Sequence, residues 1–484
     1  MPIGGATKRR RLCSALLIAT TLIGSGCDTV DSVKNSVFGP GSAPKQGQPG
    51  FVQGFLGGAA TDEPRATLAA REVLSAGGTA ADAAVAAGFV LSVTLPSRAS
   101  LGGGGACLAY AGDKKSPNQG VPEAVLFTPV APANLGPNAD RPAAVPMLAR
   151  GLYLLHARYG SLPFESLIVP SEQLARFGTP TPRALANDIA LVAGPLLADP
   201  QARAVFSHDG TPLTEGQSLV QPDLAATLTQ LRVSGVGDLY TGALARRIVR
   251  ASPLAGGPIA LQDLNGALPR LAPALVVPYR RDQVAFLPPP ADGGLAAASA
   301  FSMLVQDPGA LGAANARALA VAARWRQGGV DAQSLLTASI PPGAPLPALP
   351  ASTSVVTLDK DGNAVACAFS MDNLFGTGRV LPGLGILLAA SPAAMPTPLY
   401  AAAIAWNENI HAFRAAVGGS GQEGAPMAVA VGMLNALRTN QPMASPVPDP
   451  GRANVISCVN YLPGDGGCAW ATDPRDAGLA AGGS

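Results

Sequence analysis

Histidine is scarce in this chain, with three in 484 residues. A serine or threonine hydroxyl is a poor nucleophile until a base removes its proton, and histidine is the usual base, so a conventional serine-histidine site has little to draw on. Paired CxxC motifs are missing too, and with so few histidines no spacing suggests a metal site. Charge is sparse: 33 basic and 31 acidic side chains leave a net +2, and charged residues make up 13% of the chain. That excludes the basic surface a nucleic acid or an acidic lipid would need. No cofactor motif stands out. Gly-rich matches taken singly carry little weight in a sequence with 57 glycines and 46 prolines.

What is present is apolar. Hydrophobic residues reach 48%, enough for a substantial core and against disorder throughout. Residues 1–27 read as an export signal, with Lys8 to Arg11 as the basic region and Leu12 to Ile23 as an apolar run too short to span a bilayer. "LIGSGC" places small residues before Cys27, as in a bacterial lipoprotein cleavage box, though Gly24 stands where leucine is usual. A lipid on Cys27 would anchor the protein to a membrane, as an exported periplasmic or membrane-bound lipoprotein. Residues 28–54 read as a flexible tether. Cys458 and Cys468 flank a turn-rich loop in an exported chain, which predicts a local disulfide. Cys107 and Cys367 lie in apolar strand-like runs and read as small buried hydrophobes.

Helix and strand signals alternate after the tether. "TDEPRATLAAREVLSAGG" predicts a helix with both ends marked, capping residues and Pro64 at the start and Gly77 and Gly78 at the stop. Thr79 and Asp82 have capping-box spacing, and the small residues behind them predict a helix buried among others. Two strand-like stretches follow, "SLGGGGACLAYAG" and "PEAVLFTPVAP", then helices from about residue 144 to 244. Strands return near "PALVVPYRRDQVAFLPPP", and one more helix, "GGLAAASAFSMLV", precedes a proline-rich run at 341–350. Beyond it "DKDG" at 359–362 predicts a hairpin turn between two strands.

Several segments resemble the gamma-glutamyltransferase family in its own order. "ATDEPRATLAAREVLSAGGTAADAAVAAGFVLSVTLPSRASLGGGG" is similar to the start of the family's large subunit; "VQPDLAATLTQL", "DLYTGALARRIV" and "PPPADGGLAA" resemble its later parts. "DKDGNAVACAFSMDNLFGTGRVLPGLGILL" resembles the start of the small subunit. The resemblance covers roughly residues 55–435 and implies an α+β fold, the four-layer αββα sandwich of N-terminal nucleophile hydrolases. It implies a large-subunit-like region at 55–351, a small-subunit-like region at 352–440 and a C-terminal extension at 441–484. The chain is expected to cut itself, and its two fragments to stay associated.

The same resemblance removes the need for histidine. An α-amine freed by cleavage titrates near neutrality and can take the proton of its own residue's hydroxyl. The family's spacing puts the nucleophile on Ser352, with Thr353 next to it as the alternative if the cut falls one bond later. Ser370 matches the threonine that hydrogen-bonds the nucleophile, and Gly421 and Gln422 match the paired glycines whose N–H groups face the oxyanion. The head-group site departs from the pattern: Thr128 replaces the family's arginine, Tyr400 and Ala401 its serine pair, Ala393 or Ala394 its acidic residue, and Asp372, beside Asn373, its asparagine. Arg98 offers a cation near by. The substrate implied is a small-molecule amide or peptide whose acyl part differs from gamma-glutamyl. The competing reading is an inactive binding or scaffold lipoprotein on the same fold.

Overall fold

The strands of the two large sheets are β1 (Gly57–Thr61), β2 (Gly104–Tyr110), β3 (Glu123–Phe127), β4 (Arg270–Pro273), β5 (Leu275–Tyr279), β6 (Asp282–Phe286), β7 (Ser352–Asp359), β8 (Ala364–Ser370), β9 (Ala401–Asn407), β10 (Ala412–Ser420), β11 (Arg452–Leu462), β12 (Cys468–Thr472) and β13 (Leu479–Gly482). The computed structural model describes residues 56–484 apart from 114, 115, 117, 119, 137, 138, 342–345, 440–446, 465, 466 and 484. The expected export signal, Cys27 and the tether up to residue 54 lie outside the described residues. Among the described residues, one seven-stranded sheet has the order β13-β1-β7-β8-β2-β3-β4 and a six-stranded one the order β12-β11-β10-β9-β6-β5. Their pairings are antiparallel.

Side-chain alternation assigns each strand face to a layer. Along β7, Val356 and Leu358 join Ala366 and Ala368 of β8 and Ala402, Ile404 and Ala416 of β9 and β10 in a core between the sheets. Val355, Cys367 and Phe369 face the other way, into a core shared with helices α1 (Pro64–Ser75) and α2 (Ala80–Thr94). The far face of the second sheet packs on α6 (Asp292–Gln306), α7 (Leu311–Arg326) and α8 (Ala425–Thr439). Helices α3 (Leu148–Tyr159), α4 (Phe164–Phe177) and α5 (Arg183–Leu197) extend the first helical layer. The result is the αββα sandwich.

Local signals hold where local physics decides. Thr79 and Asp82 form the capping box of α2, and all fifteen residues of that helix are buried. The "DKDG" turn closes the β7–β8 hairpin with Gly362 at φ +84°. Asp359 holds that turn by accepting from Asp361 N–H and Asn363 N–H, and its second oxygen accepts from Ala80 N–H at the head of α2. The sequence reading gives one helix before the proline-rich run, where the structure has α6 and α7.

One expectation is corrected. Cys107 and Cys367 are not separate buried hydrophobes but a disulfide, because they are direct register partners of β2 and β8 with Cα atoms 4.0 Å apart. Within the expected C-terminal extension, β11 and β12 complete the second sheet and β13 pairs with β1 at the edge of the first. The expected Cys458–Cys468 disulfide is present.

Candidate active site

Ser352 is the first residue of β7, and the alternation that sends Val356 and Leu358 between the sheets sends Ser352 and Ser354 there as well. Ser352 is 2% exposed and lines a cavity of about 340 Å³ at the end of the sandwich. Thr353 points the opposite way. It is fully buried, and its hydroxyl donates to Asp62 Oδ2 at 2.9 Å. Strand phase therefore separates the two hydroxyls that the sequence leaves side by side.

Ser370, the last residue of β8, stands opposite Ser352 in the ladder. Its hydroxyl donates to the main-chain oxygen of Ala351 at 2.8 Å and accepts from Asp372 N–H at 3.1 Å. A donor thus sits on the carbonyl of the peptide bond that precedes Ser352. Leu349, Pro350 and Ala351 line the cavity with Ser352, so the end of the proline-rich run forms part of its wall.

Across the cavity, β10 ends in Ser420, followed by Gly421 and Gln422 on the wall. Gly421 has φ +98°, and a Cβ there would lie 2.1 Å from Pro450 O, so only glycine fits. Gln422 also adopts positive φ, +54°, so the backbone conformation a second glycine would permit is reached without one. Neither N–H takes part in the backbone hydrogen bonds among the described residues. Ser420 Oγ is buried there without a described partner. Two residues back along β10, Gly418 lets the sheets close, since a Cβ would meet Ser354 Cβ at 2.9 Å.

A buried polar cluster that sequence reasoning missed fixes the strand behind Ser352. Asp62 Oδ2 accepts from Ser354 N–H at 3.1 Å as well as from Thr353, and Asp62 Oδ1 accepts from Asn454 Nδ2 at 2.7 Å. Asn454 Nδ2 also donates to Ser354 Oγ at 2.8 Å. Burial pushes the Asp62 carboxyl up to about 6, Asp476 adds to the rise, and Arg98 opposes it. The signal was in "TDEPR": Glu63 is the N-cap of α1, accepting from Ala66 N–H, which leaves the neighbouring acid without a capping task. Nothing local marks Asn454, Arg452, Arg475 or Asp476, which reach the site from β11 and the segment before β13.

The expected head-group residues are dispersed. Arg98 does line the cavity, but its Nε and Nη2 grip Asp188 at 2.8 and 2.9 Å. The other lining arginines are also paired, Arg452 with Asp449 and Arg475 with Asp473 and Asp449. Thr128 is absent from the cavity wall, and Asn373 is on it. Asp372 is buried off the cavity, where Tyr400 donates to its Oδ1 at 3.2 Å and its Oδ2 has no described partner. Burial raises its carboxyl to about 8, so it is protonated at neutral pH, and it raises the Tyr400 phenol as well.

A family model described as Gamma-glutamyltranspeptidase matches residues 66–323. The chain is 29% identical over 390 residues to the glutathione hydrolase proenzyme of Escherichia coli (strain K12), covering 70% of this chain and 66% of that one. It is 31% identical over 261 residues to the acylase ACY 1 proenzyme of Pseudomonas sp. (strain SE83), covering 50% and 47%. The chain therefore spans less than two thirds of the length of these curated relatives. Among solved structures, the cephalosporin acylase from Bacillus halodurans superposes with a TM-score of 0.73 over 91% of this chain and 98% of its own, at 20% identity. That likeness is one of fold.

Proposed function

Because this chain belongs to the gamma-glutamyltranspeptidase family, we propose that it is an amide hydrolase or acyltransferase that cuts itself before Ser352 and then uses Ser352 as an N-terminal nucleophile. The observation that carries this reading is the Ser370 hydroxyl on Ala351 O, directly opposite Ser352, at the bond whose two residues both line the cavity.

In maturation, Ser352 Oγ attacks the carbonyl carbon of Ala351 and the carbonyl oxygen gains charge against the Ser370 hydroxyl. The C–N bond then breaks, and the departing nitrogen takes the proton the hydroxyl lost. Water opens the resulting ester, leaving a carboxylate on Ala351 and a free α-amine on Ser352. In turnover that amine takes the proton of Ser352 Oγ as the oxygen attacks an external amide; the amide C–N bond then breaks and its amine leaves with that proton, so the acyl group rests on Ser352 as an ester. The N–H groups of Gly421 and Gln422 face the oxyanion, and water or an acceptor amine releases the acyl group. Gly421 and Gln422 act through the main chain, so the glutamine side chain is no obstacle.

The acyl group differs from gamma-glutamyl in this reading. Arg98, Arg452 and Arg475 are already held by carboxylates, and Thr128 and Tyr400 stand away from the cavity. The names of the relatives, glutathione hydrolase and acylase proenzymes, favour an enzyme over an inactive scaffold. The basic and apolar runs before Cys27 support export with a lipid anchor; among the described residues no helix is long and apolar enough to cross a membrane. Cys27→Ala is expected to release the protein from the membrane fraction, and unchanged membrane association removes the anchor.

The deciding experiment is N-terminal sequencing of the purified full chain run on a reducing denaturing gel. A small fragment of 133 residues (484 minus 351) beginning at Ser352 is expected, and Ser352→Ala is expected to stay whole and inactive. A wild-type chain that stays whole after prolonged incubation supports the scaffold instead.

A further inference from the structure

Helix α5 contains Pro195, which has no N–H to donate and whose ring collides with the carbonyl of the residue four earlier, Leu191. The helix accordingly breaks its geometry at Val192, with φ −129° and ψ 21°. Leu191, beside the break, is 78% exposed and lines the nucleophile cavity. Past it, Val192, Pro195 and Leu196 form one wall of a second groove of about 270 Å³, faced by Leu374, Phe375, Gly376, Thr377 and Gly378. Asn373 and Leu374 line both spaces, so the groove continues the cavity. Its one charged lining residue, Arg141, directs Nη1 to Thr377 O at 3.3 Å.

We propose that this groove binds the acyl chain of the substrate, and that the enzyme prefers amides of medium-length aliphatic acids; the proposal rests on Ser352 as nucleophile. The direction follows from the precursor itself. The peptide cut in maturation has its acyl half, Leu349 to Ala351, on the wall of the nucleophile cavity. The same hydroxyl must meet an external carbonyl in that place, so the external acyl chain starts where those residues lie now. From there the groove past Asn373 and Leu374 offers apolar walls without a buried carboxylate to desolvate. Water in such a groove has few polar partners, and each methylene that displaces it is worth about a fourfold gain in kcat/KM.

The test uses the full chain, shown by N-terminal sequencing to be cut at Ser352, with acetyl, butanoyl, octanoyl and dodecanoyl anilides. Turnover efficiency is expected to climb by about fourfold per methylene until the groove is full, mainly through KM. Val192→Trp, which fills the groove from the half-buried side of the kink, is expected to pull the octanoyl-to-acetyl ratio toward one. Its own self-cleavage reports that it folds, and Leu196→Phe serves as a second filling variant should Val192→Trp fail to fold. A cut enzyme with a flat series, or filling variants that keep the wild-type slope, overturn the groove. A wild-type chain that stays whole overturns the nucleophile reading, and with it this one.

Discussion

The hydroxyl of Ser370 lies 2.8 Å from the main-chain oxygen of Ala351, across the ladder from Ser352. A donor at that point is worth more as negative charge develops on the oxygen than in the ground state, which is the condition for catalysis. Its own oxygen accepts from Asp372 N–H, so the hydroxyl is held in that direction. Ser370→Ala is expected to slow self-cleavage by about 10²–10³, while Ser370→Thr retains most of the rate. A time course on reducing gels measures both, and wild-type cleavage in Ser370→Ala removes the role.

The Cys107–Cys367 disulfide spans the proposed cut, since residue 351 lies between the two cysteines. Cleavage would leave the fragments covalently joined. Mature protein is expected to run as one band without reductant and as two with it, and to be heavier than the Ser352→Ala chain by one water after allowing for the substitution. Separation into two bands without reductant contradicts the cross-link.

Asp372 gives a pH signature. Its folded carboxyl is raised from 3.8 to about 8 by burial, so folding takes up a proton over that range. The stability it contributes is complete below the unfolded value and is lost as pH rises through the folded one, at about 1.4 kcal/mol per pH unit. Asp62, raised to about 6, behaves alike but only below that value. Between about pH 6.5 and 8 the wild type should therefore lose stability faster than Asp372→Asn, whose asparagine accepts the positive φ of that position. Parallel unfolding curves in the two proteins contradict the buried neutral carboxyl.

Thr353→Val tests the strand phase. It removes one of the hydrogen bonds to buried Asp62 and should cost about 1–3 kcal/mol in denaturant unfolding. The fragment should still begin at Ser352, because the lost hydroxyl faces away from the cavity. A shift of the cut, or loss of cleavage in a folded variant, returns the nucleophile's role to Thr353.

By itself the sequence determined what short-range physics controls. The capping box of Thr79 and Asp82, the "DKDG" turn and the Cys458–Cys468 link are encoded within a few residues of one another. The family's segment order then carried the αββα sandwich and narrowed the candidate nucleophile to Ser352 or Thr353. Choosing between these needed the sheets: a period of two says that neighbours face opposite ways, but only the second sheet and α1 and α2 say which way is the cavity. Pairing Cys107 with Cys367 needed the register of strands 260 residues apart. Asp62, Asn454 and the arginines from β11 onward converge for the same reason. Their partners are set by the closure of two sheets over a common core, and no local pattern records which distant residues that closure brings together.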